Sequence, residues 1–81
     1  MTRDEIKKVI TAQIMRIAPE IEEAEIDPSA NLQRSLEIDS FDFLKILTAL
    51  NELWGVEVPE ADYGKVDTLE HMAEYFATRV S

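Results

Sequence analysis

Asp39-Ser40-Phe41-Asp42-Phe43-Leu44-Lys45-Ile46-Leu47-Thr48-Ala49-Leu50-Asn51-Glu52-Leu53-Trp54-Gly55 reads as a helix with both ends marked. Asp39 is a good N-cap, because its side chain can accept from an N–H that the first turn leaves unpaired. Gly55 supplies the expected stop. Between them an apolar face is expected along Phe41, Leu44, Leu47 or Thr48, Leu50 and Trp54, with Phe43 and Ile46 widening the stripe. A helix so broadly apolar needs neighbours on more than one side.

Those neighbours lie outward along the chain. Thr2 and Glu5 have capping-box spacing, and Ile6, Val9, Ile10, Ile14 and Ile17 follow at helical intervals up to Pro19. From Pro19 to Asp39 apolar residues are scattered, and Glu20, Glu22, Glu23, Glu25 and Asp27 crowd the first part. A loop of this length is uncommon in a compact domain. Ile21, Ile26, Leu32 and Leu36 are expected to pin it to the core. After Gly55, Val56, Val58 and Pro59 predict an extended connector. Glu60 to Tyr63 predict one helical turn closed by Gly64. A last helix is expected from Asp67 or Thr68, where Asp67 and Glu70 repeat capping-box spacing, with Leu69, Met72, Ala73, Phe76 and Val80 inward. The fold class is therefore all-α: a four-helix bundle of three main helices and one short one, with a long loop after the first.

The 81 residues fit one domain, 1–81, and the initial Met1 favours a free-standing protein. Seventeen acidic residues against eight basic ones give a formal charge of −9, which repels nucleic acid and anionic membranes and attracts basic protein patches. The apolar runs are too short to span a membrane, and no signal-peptide core follows Met1, so the expected location is the cytoplasm. Without cysteine the chain has no disulfide, thiolate site or thiol nucleophile of its own. His71 stands alone among polar neighbours, with no nucleophile and orienting acid at a telling spacing. Counting from Asp39, position three is Phe41 and position twelve is Leu50, which excludes a calcium-binding EF-hand loop. No glycine-rich phosphate loop exists. No catalytic residue and no metal ligand set is assigned.

What remains is a serine in the first turn of a helix, Ser40, flanked by Asp39, Phe41 and Asp42. Its bland reading is an N-cap followed by a first-turn residue. Its chemical reading is a hydroxyl presented beside free backbone N–H groups, where an esterified phosphate meets the favourable end of the helix dipole.

Leu36-Glu37-Ile38-Asp39-Ser40-Phe41-Asp42 resembles the phosphopantetheine attachment motif of the acyl carrier protein family, whose core is Asp-Ser-Leu. Glu57-Val58-Pro59-Glu60 is similar to that family's connector, and Val66-Asp67-Thr68-Leu69 to the entry of its last helix. The resemblance implies that Ser40 receives 4′-phosphopantetheine from coenzyme A through a magnesium-dependent transferase, with Asp39, Phe41 and Asp42 as the recognition motif. It also implies a monomeric, non-catalytic carrier that holds acyl groups as thioesters for basic-surfaced enzymes of fatty-acid, lipid or polyketide biosynthesis. Phe43, Leu47, Leu50, Val58, Tyr63, Val66 and Met72 stand where the acyl pocket is expected, although core packing is their plainer role. Three of these, Phe43, Tyr63 and Met72, are bulky, which predicts a narrowed pocket.

Departures from the motif are Phe41 for leucine and Glu37 where glycine is frequent. Along Ser40 to Trp54, Asp42 and Glu52 oppose Lys45, leaving −1 where typical fatty-acid carriers are richly acidic. That predicts a specialised carrier with dedicated partners. A peptidyl or aminoacyl carrier, and an unmodified acidic interaction module, remain open alternatives.

Overall fold

The computed structural model describes residues 1–80, and these form four α-helices with two 3-10 segments. Helix α1 spans Arg3–Ile17, α2 Leu32–Ser35, α3 Ser40–Trp54 and α4 Leu69–Ala77, with 3-10 segments at Glu23–Glu25 and Glu60–Val66. No strand occurs among the described residues, only an isolated bridge between Asn31 and Thr68. The all-α class is what the periodicity predicts.

Each long helix begins where its cap dictates. Thr2 and Glu5 form the reciprocal capping box of α1, the Glu5 N–H donating to Thr2 Oγ1 at 3.2 Å and the Thr2 N–H to Glu5 Oε1 at 3.0 Å. This backbone bond holds the Glu5 carboxyl below its ordinary pKa. Helix α3 ends at Gly55 in the left-handed conformation, φ 68°, its N–H donating to the Asn51 carbonyl. At α4 the cap is Thr68 and not Asp67: Thr68 Oγ1 accepts from the His71 N–H at 3.0 Å, and Asp67 instead takes the His71 ring.

The core gathers Ile6, Ile10 and Ile14 of α1, Phe43, Ile46, Leu47 and Leu50 of α3, and Leu69, Met72, Ala73 and Phe76 of α4. Helix α1 packs against both α3 and α4, and α4 against the Glu60–Val66 segment. Trp54 and Tyr75 flank the Phe76 ring at 5.3 and 5.6 Å.

Four expectations are corrected. The buried stripe of α3 is Phe43, Ile46, Leu47, Ala49 and Leu50; Phe41 is 78% and Leu44 40% exposed. The stripe starting at Phe43 recurs at three, four and seven residues and joins the core against which α1 packs. Starting at Phe41 places the wrong edge inward. Gly64 does not close the turn after Pro59, because the 3-10 segment continues through it to a wholly buried Val66. Val80 lies beyond the end of α4 and is only half-buried, whereas Tyr75 takes a buried place on that helix.

The fourth correction concerns the long loop, which contains α2. Asn31 Oδ1 accepts from the Arg34 N–H at 3.0 Å to start this single turn. Leu32 is wholly buried and Ile21 nearly so, while Ile26 and Leu36 pack against the core from its edge. Ile38, 6% exposed, is a further anchor one residue before Asp39. Backbone bonds from Leu32 N–H to the Asp67 carbonyl (2.8 Å) and from Glu70 N–H to the Pro28 carbonyl (3.0 Å) tie the loop to the start of α4.

Candidate functional site

Ser40 is the first residue of α3 and is exposed. The approach to it is fixed from both sides. Upstream, Ile38 is buried and its N–H donates to the Gln33 carbonyl at 3.1 Å. Glu37 has φ 55°, and among the described residues it is the sole non-glycine with positive φ. An L-residue held there costs about 1–2 kcal/mol, so the turn into the site is strained where glycine would be relaxed. Downstream, Asp39 Oδ1 accepts from the Asp42 N–H at 2.8 Å, and the Asp39 carbonyl accepts the first intrahelical bond from Phe43 at 3.0 Å. The N–H groups of Ser40 and Phe41 precede that first bond and have no intrahelical acceptor. Thus a free hydroxyl sits beside two free donors at the positive end of a 15-residue helix. That arrangement suits a phosphoester.

Two different surfaces meet at Ser40. On one side, Phe41, Leu44, Lys45, Thr48, Ala49 and Glu52 of α3 face Arg16 and Ile17 of α1 across an open groove of about 480 Å³. Lys45 lies 3.6 Å from Asp42, and both are exposed enough for water to screen the pair. On the other side, a hollow of about 160 Å³ is lined by Ser40, Gln33, Phe43, Leu44, Tyr63 and Asp67. A second hollow, about 170 Å³, is lined by Leu44, Leu47, Thr48, Asn51, Glu57, Val58 and Tyr63.

Of the residues expected to line an acyl pocket, Phe43 and Tyr63 line the first hollow, and Leu47, Val58 and Tyr63 the second. Phe43 and Tyr63 meet edge to face with centroids 6.3 Å apart. Leu50, Val66 and Met72 are 0% exposed and line neither. Gln33 and Asp67 are neighbours of Ser40 that the sequence reading did not name. Asn31, as a cap before Leu32, was the available signal for the turn that carries Gln33. Arg16 has no local signal at all, since it reaches the groove only through helix packing.

His71 is exposed and its Nδ1 lies 2.6 Å from Asp67 Oδ1, an arrangement that raises the imidazole pKa. The hydroxyl of Tyr75, a residue of α4, donates to Asp62 Oδ2 at 2.8 Å and holds that carboxyl below its ordinary range. Burial in turn pushes the Tyr75 phenol up. Among the described residues no group of three or more His, Asp or Glu is placed to hold a metal ion, and no helix is long and apolar enough to cross a membrane.

The phosphopantetheine attachment site family matches residues 8–76, which include the Ser40 turn and all three long helices in whole or large part. The chain belongs to this family. It is a carrier and not an enzyme, and members of the family bear covalently attached 4′-phosphopantetheine. The carrier is 32% identical to the acyl carrier protein of Rubrobacter xylanophilus over 93% of this chain and 91% of that one. It is 28% identical to the acyl carrier protein of Streptomyces coelicolor, over 96% and 80% respectively. In fold it is similar to a solution structure of a provisionally named acyl carrier protein from Anaplasma phagocytophilum, with a TM-score of 0.86 and 23% identity over 100% of this chain and 94% of that one.

Proposed function

We propose that Ser40 is the attachment point of the arm and that this single carrier domain, 1–81, presents acyl groups to partner enzymes. The observation that carries this reading is the exposed Ser40 at the mouth of α3, beside two N–H groups without intrahelical partners. In attachment, the Ser40 oxygen would form a phosphoester bond while the pyrophosphate bridge of coenzyme A breaks. The hydroxyl proton goes to a base of the transferase, and adenosine 3′,5′-bisphosphate leaves. When bound, the arm supplies the terminal thiol that this cysteine-free chain lacks and so carries the cargo as a thioester. The chain's own residues position the hydroxyl: Asp39 caps the helix, Ile38 anchors the turn, and Phe41 and Asp42 offer the transferase an apolar and an acidic contact.

The test is to incubate the protein with coenzyme A, magnesium and a promiscuous phosphopantetheinyl transferase and to measure intact mass. The native chain is expected to gain one arm and Ser40→Ala none. Absence of a gain in the native chain would favour an unmodified interaction module instead.

The groove beside Phe41 supports a specialised carrier. Arg16 and Lys45 face it with Glu52, and Lys45 also meets Asp42, so its rim is close to neutral on a protein whose formal charge is −9. A rim charge of the wrong sign penalises a wrong partner. Fatty-acid elongation enzymes that read an acidic helix are expected to use this carrier poorly, and elongation at the rate of a housekeeping carrier would overturn the specialisation. Fatty-acid, lipid and polyketide biosynthesis, in the cytoplasm, are the settings this reading allows. A peptidyl or aminoacyl carrier shares the same Ser40 geometry, and the polar hollow between Asn51 and Glu57 specifically favours keeping that second reading.

A further inference from the structure

Helix α2 ends at Leu36, whose N–H donates to the Leu32 carbonyl at 3.1 Å, and the Ile38 N–H reaches back to the Gln33 carbonyl at 3.1 Å. With Ile38 buried just beyond, this is the helix-ending pattern that needs one residue in the left-handed conformation. That residue is Glu37, at φ 55°. Glycine takes such a place without strain, so the backbone of the turn gains nothing from a glutamate. The stiffer unfolded chain of a non-glycine residue offsets only part of the cost.

The side chain has no use inside the molecule either. Glu37 is exposed, and the ion pairs among the described residues are Lys45–Asp42, Lys65–Asp62 and His71–Asp67. Near Ser40, Asp39 accepts from the Asp42 N–H and Asp42 lies 3.6 Å from Lys45, whereas Glu37 caps nothing and meets no cation. Three virtual bonds of about 3.8 Å separate its Cα from that of Ser40, so the two lie within about 11 Å. A protein covering about 800 Å² around Ser40 therefore covers Glu37 as well. A residue held in strain, without an internal partner and beside the point of modification, has its use outside the fold.

We propose that Glu37 is a specificity-determining contact for the enzyme that modifies Ser40: the left-handed turn holds its carboxylate out to pair with a basic side chain of the transferase. The proposal rests on the carrier reading of Ser40. Such a pair acts on docking and not on the phosphoester step, so it sets KM for the carrier and leaves kcat unchanged.

The test measures arm attachment with coenzyme A, magnesium and the promiscuous transferase at varied carrier concentration, together with a thermal melt of each chain. The chains are the native protein, Glu37→Gln, Glu37→Asp, Glu37→Gly and Glu37→Lys. Glu37→Gln keeps the strain and removes the charge, and is expected to raise KM about threefold at unchanged kcat, the size of an exposed ion pair. Glu37→Lys should raise it about tenfold, because a like charge then faces the transferase, and Glu37→Asp should stay within about twofold of the native chain. Glu37→Gly separates charge from strain: it should melt higher than the native protein and still show the raised KM of Glu37→Gln. At about 0.5 M salt the difference between the native chain and Glu37→Gln should close, since the pair is exposed. Equal KM for the native chain and Glu37→Gln would overturn the proposal. So would a Glu37→Gly chain that loses kcat alone, which would show that the shape of the turn is read and not its charge. Unchanged mass in the native chain is a separate result, and it removes the carrier reading of Ser40 and this contact with it.

Discussion

Phe41 and Phe43 are the same residue type, two positions apart on one helix turn, yet the first is 78% exposed and the second 5%. Two residues along an α-helix turn the side chain by about 200°, so α3 presents one aromatic to water and one to the bundle. The contrast separates two duties of a short sequence: the inner ring holds the fold, and the outer ring is free for a partner. The largest expected effect comes from the inner ring. Phe43→Ala should destabilise the protein by about 3–4 kcal/mol in denaturant melts, from lost burial and the cavity left against Tyr63. In a domain this small that is a large share of the total stability. A loss below 1 kcal/mol would mean that the ring is less well packed than its burial indicates.

The outer ring should behave in the opposite way. Phe41→Ala is expected to change stability by less than about 0.5 kcal/mol, as for surface positions generally. Its effect should appear in transferase kinetics, as a fall of about tenfold in kcat/KM with coenzyme A, because exposed aromatics anchor interfaces. Equal modification rates for the native and Phe41→Ala chains would break the comparison, leaving Phe41 a surface ring with no duty at the transferase.

Much of this was legible beforehand. The caps Thr2, Asp39 and Gly55 are local hydrogen-bonding devices, and local chemistry writes itself into neighbouring residues. The exposure of Ser40 followed from the same logic. The phase of α3 was not legible, because Phe41, Phe43, Leu44, Ile46 and Leu47 allow more than one apolar stripe and the packing of α1 against the helix chooses between them. The turn at Leu32–Ser35 was missed because four residues give too little periodicity to detect. Arg16 reached the groove through tertiary packing, for which the sequence around Ser40 holds no signal.

Smaller effects should sharpen the picture of the helix mouth between the two rings. Asp39→Ala removes the acceptor of the Asp42 N–H and is expected to lower stability by about 1 kcal/mol. Glu37→Gly should act in the other direction. It relieves the left-handed strain at φ 55° but increases the freedom of the unfolded chain, for a net gain of about 0.5 kcal/mol. Both are read by thermal melts, and a loss of stability in Glu37→Gly would show that the turn is not strained.

The smallest effect belongs to the exposed pair Asp67–His71, whose His71 immediately precedes the buried Met72. The hydrogen bond from the His71 ring to Asp67 raises the folded-state pKa above the ordinary 6.5. Protonation is therefore more favourable in the folded state than in the unfolded one, and the contribution to stability is complete below about pH 6.5. It is lost as pH rises through the higher folded-state value, when the ring gives up its charge. Between pH 6 and pH 8 the native protein should lose slightly more melting temperature than His71→Gln, which has no such titration. Because both partners are open to water the difference should be small beside that of Phe43→Ala. If the native chain instead gained melting temperature relative to His71→Gln over that interval, the imidazole would be favoured in its neutral form, and the pairing with Asp67 would have to be abandoned as the source of the shift.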